Sequence, residues 1–390
     1  MTIDPTETSD DIEQARAQSL ASGAAGTALL DVERALTGSG AWKPAAAQIR
    51  AATASPITAA GHTGLYYGVP SICFLLHAAT SDRGARYRTA AKVADQHTIA
   101  VVELRVGAAI RARTEGLPLT FKEYDLLYGL VGLTSLMVRH LPEAAVLPDA
   151  LNYLVGLTTP RHVDGLAVSG WWVEHDPDRI VPTPGGHANL GMAHGAAGLL
   201  AVLAISASRG IEVPGQREAI ESILDFFDQW RQEGPDGPWW PQWLTREDLR
   251  SGEPSQRSPG RISWCYGAPG ITRAQQLAAL ALGDDVRQAR AEQDFAANLT
   301  ETNFRQIKDA GICHGAAGIF QTAWRASRDA KTPHLAGRLP DVALLVKRQS
   351  AEAAARPGFL TGAAGVELAL ETLRRDAPPL SGWDACLLIN

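Results

Sequence analysis

Two short stretches carry the residues with most chemistry to offer, "SWCYGAPG" at 263–270 and "ICHGAAG" at 312–318, each placing a cysteine two residues before a glycine. A third, "MAHGAAG" at 192–198, sets His194 directly before the matching glycine. Together Cys265, Cys313 and His314 make a soft donor set suited to tetrahedral Zn²⁺ with its fourth position open, the arrangement of a catalytic rather than a structural zinc site. Cys313 and His314 are adjacent, and neighbours on a helix point about 100° apart, so they can share one ion only from a turn that precedes a helix. The competing reading is two buried cysteines and a satisfied histidine. Their placement at matching points of a repeat favours the metal.

The repeat predicts the elements that position them. Glycines 23, 68, 129, 195, 267, 315 and 362 each begin a small-residue G-x-x-G phrase, degenerate only in "YYGVPSICFL" (66–75), and the shortest intervals fit one helical hairpin. After each phrase comes an Ala/Leu/Ile-rich stretch such as "GLLAVLAISAS", and between them lie amphipathic segments such as "REAIESILDFFDQW". Helices apolar on nearly all sides must be surrounded by other helices, and amphipathic ones face water. The expected fold is therefore all-α: a double-ring barrel, an α/α toroid, of seven helical-hairpin repeats in a single domain over residues 1–390. Two intervals are padded. Residues 143–187 are the candidate for an insertion, and residues 232–260 form a Pro/Gly-rich loop whose Trp239, Trp240 and Trp243 either anchor it to the body or contact a peptide.

Composition narrows the class. A net charge of −6 with 45% hydrophobic and 20% charged residues gives no footprint for nucleic acid. The polar, acidic start lacks a secretory signal, and the longest apolar run, near 198–206, falls short of the roughly 18 residues of a spanning helix. A cytoplasmic protein without a transmembrane segment or structural disulfides is expected. Cys73 and Cys386 lie in apolar runs and read as core residues.

The stretches "NLGMAHGAAG" (189–198), "GRISWCYGAPG" (260–270), "ICHGAAG" (312–318), "YDLLYGLVG" (124–132) and "FLTGAAGVELALETL" (359–373) resemble the lanthionine synthetase C-like family, the LanC lantibiotic cyclases, over essentially the whole chain. The resemblance implies a seven-repeat α/α toroid, zinc held by Cys265, Cys313 and His314, and Asp125, His194, Arg261 and Tyr266 as catalytic residues around the metal. Ile262 stands where the family pattern expects a polar residue. The tyrosine of "WCYG", where eukaryotic relatives have histidine, and the lack of a fused dehydratase or kinase point to a stand-alone bacterial cyclase, and 143–187 is where the family's SH2-like insertion would lie.

The implied reaction adds cysteine thiols of a dehydrated precursor peptide to dehydroalanine or dehydrobutyrine, forming lanthionine or methyllanthionine thioether rings. Zinc would make the thiol a thiolate, and two cysteine ligands would leave the complex electron-rich enough to keep it nucleophilic. His194 is the expected proton donor to the enolate and Arg261 its oxyanion partner, with Asp125 orienting His194 and Tyr266 a hydrogen-bond or proton donor. The family also implies a complex with a lanthipeptide dehydratase and a transporter, hence a peripheral place at the membrane. The alternatives are another zinc-dependent thiol alkyl transferase, such as a protein prenyltransferase, and a non-catalytic peptide or glutathione scaffold.

Overall fold

Each glycine of the repeat stands at the N-cap of a helix. The computed structural model describes residues 16–81, 86–178, 180–353 and 357–390. Its elements begin with α1 (Ala24–Thr37), α2 (Trp42–Ala52), α3 (Val69–Ala79), α4 (Arg88–Thr114), the short α5 (Phe121–Tyr124), α6 (Leu130–His140) and α7 (Leu147–Gly156). Next come β1 (Arg161–Val163), β2 (Leu166–Val168), β3 (Ala188–Asn189), α8 (Ala196–Ser208), α9 (Gln216–Trp230), β4 (Trp243–Leu244) and α10 (Arg246–Ser251). The last are α11 (Ala268–Leu282), α12 (Asp285–Asn298), α13 (Glu301–Gln306), α14 (Ala316–Asp329), α15 (His334–Ala353), α16 (Ala363–Arg375) and a 3-10 helix, Trp383–Leu387.

The helices behind the seven glycines are α1, α3, α6, α8, α11, α14 and α16. Each packs on the next and α16 packs back on α1, which closes a ring. Their sequences explain the inner position: in α8 every residue but Ile205 and Ser208 is buried, so other helices must surround it. Outside them α2, α4, α7, α9, α12 and α15 each pack on the inner helix of their own repeat. Helix α9 buries Ala219, Ile220, Ile223, Leu224, Phe227 and Trp230 at spacings of three and four and turns Glu218, Glu221 and Asp225 to solvent. The two rings are the α/α toroid that the repeat predicts, but with six outer helices among the described residues instead of the seven expected, because the repeat begun by Gly362 has no outer helix after α16.

After α16 the chain turns inward. Trp383, Asp384, Cys386, Leu387 and Ile389 are all buried. Asp384 receives Arg325 Nε at 2.6 Å and Gln321 Nε2 at 2.6 Å from α14, and Arg273 of α11 donates to the Ile389 carbonyl at 3.0 and 2.8 Å. A carboxylate with no solvent exposure is tolerable only with such partners. The expectation that Cys386 is a core residue holds, its Sγ donating to the Trp383 carbonyl at 3.1 Å.

One backbone feature places the site. The turns ahead of the inner helices are hydrogen-bonded to one another: Leu126 N to Ala193 O (3.2 Å), Ala193 N to Cys265 O (3.2 Å), Cys265 N to Cys313 O (3.2 Å), Cys313 N to Leu360 O (2.8 Å), Leu360 N to Ala21 O (2.9 Å) and Leu20 N to Tyr66 O (3.1 Å). All seven turns, and so all seven inner N-termini, gather at one rim. The residues two before the glycines are neighbours there.

The close approach of turn and helix is what the second glycine of the phrase serves. A Cβ on Gly318 would lie 1.8 Å from the Ile312 carbonyl oxygen, and nothing there is free to yield. Gly318→Ala is expected to cost roughly 3 kcal/mol, the upper end for overpacking, read as a lowered urea midpoint. Gly337→Ala, in α15 where an added Cβ meets nothing within 4 Å, should leave the midpoint unchanged or raise it, since alanine is the better helix former.

Candidate metal centre

Adjacent repeats supply adjacent donor groups. The hydrogen bond from Cys265 N to Cys313 O joins the two cysteine turns side by side, and the donor atoms of Cys265, Cys313 and His314 all lie within 4.8 Å of one another. Cys265 is buried, while Cys313 and His314 are half-buried. A hydrogen bond from Cys313 holds the Cys265 thiol well below its ordinary range, with help from His314 and from Ser263, whose Oγ is 3.6 Å from the sulfur. The same bond, with burial, pushes Cys313 up. The donor set is thus two sulfurs, one already favoured as thiolate, and one imidazole.

His314 has a partner that sequence reasoning missed. Its Nε2 is 3.7 Å from Asp309 Oδ2, while Asp309 Oδ1 accepts from Gly311 N at 2.6 Å. Asn189, in the same register of its own repeat, accepts from Gly191 N at 2.9 Å. Position six before the glycine is the signal that would have found Asp309. At 3.7 Å the carboxylate is within ion-pair reach of the imidazole but beyond hydrogen-bond distance.

Beside these turns lies a second polar pair. His194 Nδ1 meets Asp125 Oδ2 at 2.6 Å, and the Asp125 side chain has no solvent exposure. Asp125 Oδ1 caps the turn into α6, accepting from Tyr128 N at 2.6 Å and Gly129 N at 2.9 Å, so the carboxylate is both a structural cap and the partner of His194. The His194 ring is near-parallel to Phe121, with centroids 4.8 Å apart, and to Tyr128, at 6.0 Å. Tyr124 Oη donates to the His194 carbonyl at 2.6 Å. The whole 121–128 segment is clasped by the buried Arg105 of α4, which donates to the carbonyls of Gly61, Thr63, Lys122 and Tyr128.

The Tyr266 ring centroid is 6.0 Å from that of His194. Burial pushes its phenol up, and the charges of Cys265 and Asp125 push it the same way, so Tyr266 stays protonated at neutral pH. Arg261 is exposed at the rim and pairs with no carboxylate among the described residues. Its charge favours a thiolate at Cys313, against the larger effects of Cys265 and burial.

The floor of the site comes from the C-terminal segment. Trp264 Nε1 donates to Leu387 O at 2.9 Å and Tyr66 Oη to Cys386 O at 2.8 Å, so the turn carrying Cys265 rests on the chain end. The long loop is anchored: Trp239 and Trp240 are buried and Trp240 Nε1 donates to Phe227 O at 2.8 Å. Strand β3, which leads into the His194 turn, pairs antiparallel with β4 and its Trp243. Residues 143–187 hold α7, the antiparallel β1–β2 hairpin, and His175 and His187, whose rings pack edge-on to Phe121 behind His194.

The sequence profile of the family described as "Lanthionine synthetase C-like protein" matches residues 14–388. A curated relative, "Nisin biosynthesis protein NisC" of Lactococcus lactis subsp. lactis, is 25% identical over 222 residues, 54% of this chain and 52% of the relative. This chain thus spans about half the length of the curated relative it matches. A solved structure titled "Nisin cyclase" superposes with a TM-score of 0.81 at 20% identity, covering 97% of this chain and 94% of the other. At that identity the superposition speaks for the toroid fold.

Proposed function

Because the chain belongs to the lanthionine synthetase C-like family, we propose that it is a zinc-dependent peptide cyclase, adding cysteine thiols of a dehydrated precursor peptide to dehydroalanine or dehydrobutyrine. One observation carries the reading: a Cys-Cys-His donor set converges at the rim beside a buried Asp125–His194 pair. Two sulfurs and one imidazole fit zinc better than the hard cations, which take oxygen ligands. Cys265, Cys313 and His314 would hold it, and bound zinc deprotonates a coordinating thiol at neutral pH.

The chain's own residues account for the other half of the chemistry. When the peptide sulfur bonds to Cβ, the C=C electrons move onto the neighbouring carbonyl as an enolate, and Cα must then receive a proton. His194, with Nδ1 tied to Asp125, presents its other nitrogen to the opening and is the proton donor; the Asp125 charge stabilises the protonated ring. Arg261 meets the enolate oxygen from the exposed side. Tyr266, held as phenol, donates a hydrogen bond between the two groups. The stacked Phe121 and Tyr128 faces keep the imidazole plane fixed, so little rearrangement is needed as the proton moves.

The substrate stays a precursor peptide of this chemical class. No helix among the described residues is long and apolar enough to cross a membrane, and association with a dehydratase and a transporter at the cytoplasmic membrane is part of the proposal. Incubation of zinc-loaded protein with a peptide containing dehydroalanine and free cysteine is the test. Cyclisation leaves the mass unchanged but removes thiols, so the expected result is loss of alkylatable thiol well above the uncatalysed rate. Thiols that persist at the uncatalysed rate on zinc-loaded protein would leave a binding scaffold.

A further inference from the structure

Away from the rim, α3 and α4 bring a second set of donors together. Cys73 and His77 are four residues apart on α3 and share a face; Asp95 answers them from α4. Cys73 Sγ lies 3.3 Å from Asp95 Oδ1 and His77 Nε2 lies 2.7 Å from the same oxygen, and the three donor atoms all fall within 4.8 Å of one another. The sequence reading of Cys73 as a core residue holds, and the polar partners it also meets, a helical turn away and on another helix, leave no local signal in the sequence.

A second observation points the same way. Thr98, one turn past Asp95, sets its hydroxyl beside the Cys73 sulfur. It is fully buried, and its Oγ1 meets no partner at full hydrogen-bond geometry, which is unfavourable for a buried hydroxyl. The thiol, as arranged, donates to Asp95. A metal-held sulfur accepts and no longer donates, which would give the Thr98 hydroxyl its partner. His140 of α6 stacks on His77 with centroids 4.3 Å and planes 15° apart, fixing the plane of the imidazole.

We propose that Cys73, His77 and Asp95 form a second binding site, for a divalent transition metal of the zinc class, that joins inner helix α3 to its outer partner α4. Tetrahedral zinc, with bonds of about 2.0–2.3 Å, holds its donors roughly 3.3–3.7 Å apart. The sulfur–carboxylate distance already meets this, and the His77–Asp95 distance opens by about half an ångström as the proton between them leaves. His77 and Asp95 side chains are 18% and 19% exposed, so an ion reaches the site from solvent while the sulfur stays buried. With one sulfur where the rim offers two, it is the weaker of the two sites.

Cobalt(II) titration of the chelator-stripped full-length protein, against a competing chelator, tests this by stoichiometry and by thiolate-to-cobalt absorption. Wild type should bind two equivalents, and Cys73→Ala, His77→Ala and the double variant Cys265→Ala/Cys313→Ala one each. The double variant should retain the absorption of a single sulfur ligand. A wild type that binds one equivalent, lost in the double variant, overturns the second site and leaves the rim site intact. So does a second equivalent that survives both Cys73→Ala and His77→Ala, since it is then adventitious. The rim reading fails separately, when the double variant loses nothing. The His77 variant, at a partly exposed position, guards against a Cys73 variant that merely unfolds.

Discussion

Cys313→Ala is expected to cost the rim site its metal and to bring thioether formation down to the uncatalysed rate, while the toroid stays folded. Two features separate the sulfur from the fold. The girdle runs through Cys313 N and O, not through its side chain, and Ala193 fills the matching position of another repeat with its backbone bonds in place. The loss in affinity should exceed the ~100-fold ceiling usual for outer partners of a metal ligand, because a ligand itself is gone. Metal content by mass spectrometry falls by one equivalent, with far-UV circular dichroism unchanged. Cys265→Ala should behave alike. A Cys313→Ala protein that keeps the full metal content and closes rings would remove the rim cluster from the chemistry.

That alanine argument also shows why the convergence of the two cysteines was legible in the sequence. In a ring of repeats the backbone is periodic, so two residues at the same offset from their glycines become neighbours whenever their repeats do. Cys265 and Cys313 needed no long-range information beyond the register. The inner and outer helices were legible for the same local reason, all-round apolarity in α8 against a one-sided stripe in α9.

What stayed hidden depends on polar contacts that no period encodes. Asp125 and His194 are 69 residues apart, and only a resemblance paired them. The final "WDACLLIN" reads as an apolar segment, yet its buried Asp384 is tied to Arg325 and Gln321 and its carbonyls receive Tyr66, Trp264 and Arg273. It fills the ring instead of adding an outer helix. Trp239 and Trp240 could have met a peptide, and packing decided otherwise. Arg105, one arginine among many in the sequence, becomes the clasp of the Asp125 segment only because four carbonyls converge on it.

If the proposed chemistry holds, His194→Asn should bind zinc as wild type does and lose on the order of 10²–10⁴-fold in ring closure, the span usual for a positioned acid. Asparagine keeps a donor for Asp125 but has no titratable nitrogen to deliver. Asp125→Asn separates position from charge, since its amide oxygen can still cap Tyr128 N and Gly129 N. Its NH₂ would then face His194 Nδ1, reverse the tautomer and withdraw the charge that stabilises the protonated ring, so turnover should fall with metal content unchanged. If the two residues act as one proton-delivering unit, the double variant should be no slower than His194→Asn alone, because a unit already broken cannot be broken again. Additive losses would give Asp125 a separate role, in the turn. A His194→Asn enzyme within about threefold of wild type would pass the proton-donor role to Tyr266, whose half-buried phenol stays protonated at neutral pH and whose ring lies 6.0 Å from that of His194.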